Sequence, residues 1–87
     1  MDIQFPNRSR SYNETRGRIQ FWGYDSTIEV SFFLDAGALQ RINPSAARDE
    51  TGSLGVFDAN RDRIEQAAAR IYSRRSGSSY TLTAADL

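Results

Sequence analysis

The sequence predicts an α+β fold, an antiparallel sheet of three to four strands with a short helix and a long helix packed on one face. Three observations carry this expectation. Two runs alternate apolar and polar residues on either side of a cluster of turn formers, a long stretch repeats apolar residues at helical spacing, and a last short run alternates again near the end of the chain.

Ile3 and Phe5 open the chain with a brief apolar alternation stopped by Pro6, which reads as a short edge strand or an extended arm. A polar stretch, Asn7 to Gly17, follows. The hairpin comes next, over about 18–22 and 27–33, with Gly23-Tyr24-Asp25-Ser26 as its turn. Placing Phe21 opposite Ile28 and Ile19 opposite Val30 puts Ile19, Phe21, Ile28, Val30 and Phe32 on one face, as a half-buried sheet requires. The other face is polar apart from Trp22 and Phe33.

Asp35 is placed to cap a short helix over about 36–42, with Leu39 and Ile42 inward and Asn43-Pro44 as its end. Residues 45–52 form a polar connector. The long helix, about 54–73, takes Ser53 as its cap and breaks at Ser76-Gly77-Ser78-Ser79; Arg75 would project from its apolar stripe, so fraying before that residue is expected. At about 100° per residue, Phe57, Ile64, Ala68 and Ile71 form that stripe, flanked by Asn60 on one side and Arg61 on the other. The last strand spans about 79–83, with Tyr80 and Leu82 inward.

The length of 87 residues suits a single domain, 1–87, with one core and no deep second lobe. Eleven basic and eleven acidic residues leave no net charge, so no global field draws the protein to nucleic acid or an anionic membrane, and such binding would need a local patch. Every basic residue is Arg. The chain has no Lys, Cys or His, which removes Schiff-base chemistry, disulfides, thiol redox chemistry, His-based triads and the common zinc, haem and iron–sulfur ligand sets. The scattered carboxylates show no spacing that demands shared chemistry, and Asp49-Glu50 reads as solvated loop rather than a Mg²⁺ site. No cofactor, no metal and no enzymatic activity are therefore expected. The longest apolar run is too short to span a bilayer, which leads to the expectation of a cytoplasmic protein.

The order of features resembles a known family. Phe5-Pro6, then Tyr12 and Glu14, a hairpin into a short capped helix, the signature Phe57-x-x-Asn60-Arg61-x-x-Ile64-Glu65-x-x-Ala68, and a closing Leu82-Thr83-x-x-Asp86 are together similar to the DUF1488 family. That resemblance covers almost the whole chain and implies a small α+β domain in a bacterial cytosol. Its members are short proteins of unknown function, so it implies no activity.

Three groups of residues are candidates for function. Asn60, Arg61, Glu65 and Asp86 read first as a structural clasp, with the planar fork of Arg61 on the Asp86 carboxylate pinning the last strand to the helix, and second as a contact for a ligand or partner. Trp22, Phe33 and the turn residue Tyr24 form a possible interface for a protein partner or a second copy, unless the N-terminal arm folds over them with Phe5 or Tyr12. Arg63, Arg70 and Arg74 recur on one helix flank, where they suit nucleic acid but also suit the dipole of a solvated helix. The favoured reading is a non-catalytic accessory module acting through a protein partner or self-association. The alternative is a nucleic-acid-binding regulator using the Arg stripe.

Overall fold

The computed structural model describes residues 3–74 and 77–87. Its elements are β1 (Arg10–Asn13), β2 (Arg18–Asp25), β3 (Ile28–Leu34), α1 (Ala36–Ile42), α2 (Glu50–Ala59), α3 (Arg61–Arg74), β4 (Ser79–Leu82) and a closing 3₁₀ turn, Ala84–Asp86. The expected fraying at Arg75 and the break at Ser76 lie outside the described residues.

The four strands form one sheet in the order β1-β2-β3-β4. It is mostly antiparallel, as the alternation suggests, but β4 runs parallel to β3. The reason is topological: three helices carry the chain back across the sheet before β4 begins, and a strand added after such a crossover runs with its neighbour. Alternation alone carries no strand direction, so the expected all-antiparallel sheet is corrected to a mixed one.

The hairpin register also differs. Phe21 pairs with Phe32 and Ile19 with Leu34, and the strands continue through Gly23, Tyr24 and Asp25 to a turn at Ser26-Thr27, where Ser26 takes φ 58°. The shift from the expected pairing is an even number of residues, so each side chain keeps its face. Ile19, Phe21, Val30 and Phe32 are buried accordingly, whereas Ile28 lies beyond the core beside the turn and is 66% exposed. Gly23 belongs to the inner face of β2, not to the turn. A Cβ there would sit 2.9 Å from both Ile3 and Phe5, so its absence lets the N-terminal arm close onto the sheet.

Asp35 caps α1, accepting the Ala38 N–H at 2.8 Å. The expected long helix is two helices. Asp49, not Ser53, caps α2 by accepting the Gly52 N–H at 2.8 Å, and Ser53 is buried inside the helix. The break falls at Asn60, whose φ −122° and ψ 23° leave the helical region, while its side-chain amide donates to the Val56 carbonyl at 2.9 Å. An amide that satisfies a carbonyl in this way competes with continuation of the helix. Phe57, Ile64, Ala68 and Ile71 all remain buried, so the break preserves the apolar stripe.

The core lies between the helices and one face of the sheet, centred on Phe21, Phe32 and Phe57 with Ile19, Leu34, Ile64 and Leu82. Phe21 meets Phe57 with ring centroids 5.2 Å apart and Phe32 at 5.5 Å. Burying seven such side chains completely, at about 1.5–3 kcal/mol each, supplies the main driving force of the fold.

Candidate functional site: the open face of the sheet

With the helices on one side, strand alternation decides what the other side presents. The register aligns Gln20 with Phe33, Trp22 with Ser31 and Tyr24 with Glu29, and all six belong to the face turned away from the core. Ser11 and Asn13 of β1 and Thr81 of β4 extend the same face. Trp22 and Phe33 are only half-buried and Glu29 is exposed.

The N-terminal arm does not cover this face with Phe5 or Tyr12. Gln4 forms a two-bond bridge to Tyr24, at 2.9 and 2.8 Å, which directs Phe5 to the core side. There the Phe5 ring lies 6.1 Å from Phe21 and 5.5 Å from Phe32. Tyr12 pairs with Ile19 and also packs against the core.

Arg18 is the chemical focus of the open face. Its guanidinium lies 4.0 Å above the centre of the Phe33 ring, a cation–π stack that holds a delocalised charge at low desolvation cost. Its Nε is buried yet has no hydrogen-bond partner, and Arg18 makes no ion pair with any described residue. A depression of about 350 Å³ opens beside it, lined by Ser11, Tyr12, Asn13, Gln20 and Phe33, with no carboxylate in its walls. Such a place suits the carboxylate of an incoming partner, which would give the guanidinium fork the acceptor it lacks.

At the opposite end of the face Tyr24 donates its hydroxyl to Glu29 at 2.7 Å, a bond that pushes the Tyr24 phenol above its ordinary range. Between the two ends, the Gln20 amide reaches the Ser31 hydroxyl at a long 3.4 Å. Arg18 and Glu29 are thus the charges of the two central strands on this face, and they stand at opposite ends of it.

The helix junction is wired differently from the expected clasp. Asn60, Arg61 and Glu65 are brought together, whereas Asp86 is not part of that group. Arg61 is 7% exposed, donates from Nε to Glu65 at 3.0 Å and from Nη2 to the Asn7 carbonyl at 3.2 Å, and lies over the Phe57 ring at 4.9 Å. It therefore holds the N-terminal arm, not the C-terminus. Arg10 reinforces this hold with a two-pronged pair to Asp58, at 2.9 and 2.8 Å, and keeps that carboxyl below the usual carboxylate range. Asp86 caps the 3₁₀ turn, accepting the Thr83 N–H at 2.8 Å and its hydroxyl at 3.3 Å.

Two of the three stripe arginines are occupied as well. Arg63 donates to the Leu87 carbonyl at 2.8 Å and Arg70 to the Asp86 carbonyl at 3.3 Å, so they fasten the C-terminal turn to α3. Arg74 is exposed in the last turn of α3.

These features can be set beside known proteins. The family model described as "Protein of unknown function (DUF1488)" matches residues 3–83. The chain belongs to the DUF1488 family. The match takes in the whole sheet, the three helices and every candidate residue named above except Asp86. Neither the curated proteins nor the solved structures contain a match to the chain. Among the described residues, no helix is long and apolar enough to cross a membrane and no group of three or more acidic side chains is arranged to hold a metal ion.

Sequence reasoning places Trp22 and Phe33 on this face but misses Arg18 as its centre. In the expected register Arg18 lies diagonal to Glu29; in the observed one it stacks beside Phe33 and stands far from Glu29. The available signal is the Arg-x-Gln-x-Trp alternation, which puts all three side chains on one face whatever the register.

Proposed function

We propose that this protein is a non-catalytic accessory module, bacterial and cytoplasmic, which acts by docking the open face of its sheet onto a protein partner or another copy of itself. The observation that carries the reading is the Arg18–Phe33 stack, with its unpartnered Nε, set beside the half-buried Trp22 on a face that neither Phe5 nor Tyr12 covers. Aromatic and Arg side chains in this arrangement are the usual anchors of protein interfaces.

The non-catalytic part of the reading rests on chemistry. The chain has no His, Cys or Lys, and five of its carboxylates are drawn into structural work: Asp35 and Asp49 cap helices, Asp58 and Glu65 pair with Arg, and Asp25 accepts the Tyr72 hydroxyl at 2.5 Å. Nucleic acid along Arg63, Arg70 and Arg74 has weaker support, because two of those guanidiniums already serve the C-terminal turn.

Affinity capture from the native cytosol tests the proposal. A discrete protein should be retained with or without nuclease, lost with Trp22→Ser or Phe33→Ser, and kept with Arg63→Ala. Retention that vanishes with nuclease or with Arg63→Ala, and is indifferent to Trp22, would transfer the function to the Arg stripe.

A further inference from the structure

We infer that the occupant of the open face is a second copy of this chain, packed face to face about a two-fold axis that crosses the strands between the Gln20–Phe33 and Trp22–Ser31 pairs. The inference rests on the docking role proposed for that face and names what docks there.

Charge placement points to this axis. Arg18 stands at one end of β2, and Glu29 stands level with Tyr24 near the other, about 20 Å away at about 3.3 Å per residue. A two-fold axis midway between those levels exchanges the ends, so each Arg18 is brought over the Tyr24–Glu29 pair of the other copy, with Glu29 one strand to the side. Stacked sheets lie about 10 Å apart; the Arg18 guanidinium stays over Phe33 and the exposed Glu29 of the other copy reaches across the gap to its free edge. Two such pairs form at once, because an isologous contact uses every complementary pair twice.

The local chemistry fits the same arrangement. Arg18 leans across Phe33 toward β3, the strand that bears Glu29 in the opposing copy. Glu29 is exposed, and Tyr24 engages its Oε2, which leaves Oε1 for a guanidinium. Trp22 and Phe33 fall on either side of the axis, so four aromatic rings from the two copies make an apolar centre with the ion pairs at its rim. A single-stranded nucleic acid would meet one cation and one anion on this face, a poorer match than a second copy.

The face is small. Strands of 4, 8, 7 and 4 residues, about 4.8 Å apart and rising about 3.3 Å per residue, offer roughly 360 Å² per copy, so the total falls below the range of stable interfaces and suits a transient contact. The dimer is accordingly weak and reversible, with a Kd on the order of 100 μM.

Sedimentation velocity from about 10 μM to about 1 mM brackets that Kd and should show wild-type protein passing from monomer to dimer. Arg18→Glu and Glu29→Arg should each weaken association at least about tenfold, since like charges then face each other. An equimolar mixture of the two variants should associate again, because both cross-pairs in the mixed dimer are of opposite sign; that recovery also shows that both variants fold. Wild-type protein that stays monomeric throughout, or a mixture no better than either variant alone, overturns the inference. Monomeric wild type whose capture of another protein is lost with Trp22→Ser overturns the second copy and leaves the docking role standing. Monomeric wild type whose capture ignores Trp22→Ser removes both. Salt-dependent retention of single-stranded oligonucleotide that Arg18→Glu abolishes also overturns the inference and assigns the face to nucleic acid.

Discussion

Arg61→Ala probes the fastening of the N-terminal arm. The guanidinium is 7% exposed and makes one hydrogen bond to the Glu65 carboxylate and one to the Asn7 carbonyl. A hydrogen bond to a charged group is worth about 1.5–3 kcal/mol, and removal of one partner of a fully buried pair costs about 3–5 kcal/mol. Glu65 is not fully buried, its side chain being 17% exposed with Arg8 at 3.8 Å, so water and Arg8 recover part of the loss. The expected cost is therefore about 2–3 kcal/mol, lower than the fully buried case. In urea, with a slope of about 1 kcal/mol/M for a domain of this size, the unfolding midpoint should fall by about 2–3 M. The same substitution should raise hydrogen exchange in residues 3–10 before the sheet itself is affected. A midpoint that moves by less than about 0.5 M, with arm exchange unchanged, would refute the assignment of Arg61 to the arm.

Other expectations follow from single contacts. Gly52→Ala would drive a Cβ into the Ala47 carbonyl oxygen, a backbone atom, and should cost about 3 kcal/mol in thermal or urea unfolding; Gly23→Ala meets side-chain atoms of Ile3, Phe5 and the buried Phe32 and should cost about 1–3 kcal/mol. The Tyr72 phenol is pushed up to about 12 by its hydrogen bond to Asp25. Its folded value lies above the unfolded one, so its contribution is complete below about pH 10 and is lost as the pH rises through about 12. Spectrophotometric titration should show one late tyrosine that Tyr72→Phe removes. Asp58 has the opposite sign: its carboxyl is lowered by Arg10, so its contribution is present above the ordinary carboxylate value and fades as the pH falls through the lower folded one. The acid limb of a stability–pH curve should accordingly flatten slightly in Asp58→Asn.

What the sequence made legible was mostly a matter of period. Alternation sorts Ile19, Phe21, Val30 and Phe32 from Gln20, Trp22 and Phe33 in any register of the same parity, so the two faces are readable even though the pairing itself is displaced. The displacement arises because Gly23-Tyr24-Asp25 has the composition of a turn, while Gly23 is required for the approach of Ile3 and Phe5. That need is visible only once the arm is in place. β1 escapes notice because Arg10-Ser11-Tyr12-Asn13 is a short polar edge strand that buries little. The stripe Phe57, Ile64, Ala68 and Ile71 continues through Asn60 without a change of phase, so a helix break there leaves no trace in the apolar pattern.

The candidate site divides along similar lines. Trp22 and Phe33 stand out as aromatics on a polar face, which a local pattern can reveal. The Arg18 stack depends on the true register, and the hold of Arg61 and Arg10 on residues remote in the chain depends on the tertiary fold. Asp86 looks like an Arg partner in sequence because it follows a strand expected to pack against the helix that bears Arg61. In the structure its carboxylate is turned back on Thr83, three residues away.

Trp22 is the only tryptophan in the chain and sits on the open face, so it reports directly on whether that face docks. Acrylamide quenching of its fluorescence should fall when the protein is concentrated from the low micromolar into the millimolar range, with a shift of emission to shorter wavelength, and Arg18→Glu should displace both changes to concentrations at least about tenfold higher. Equal quenching at every concentration, unaltered by any protein that the wild-type chain captures, would contradict the assignment of this face as the docking surface.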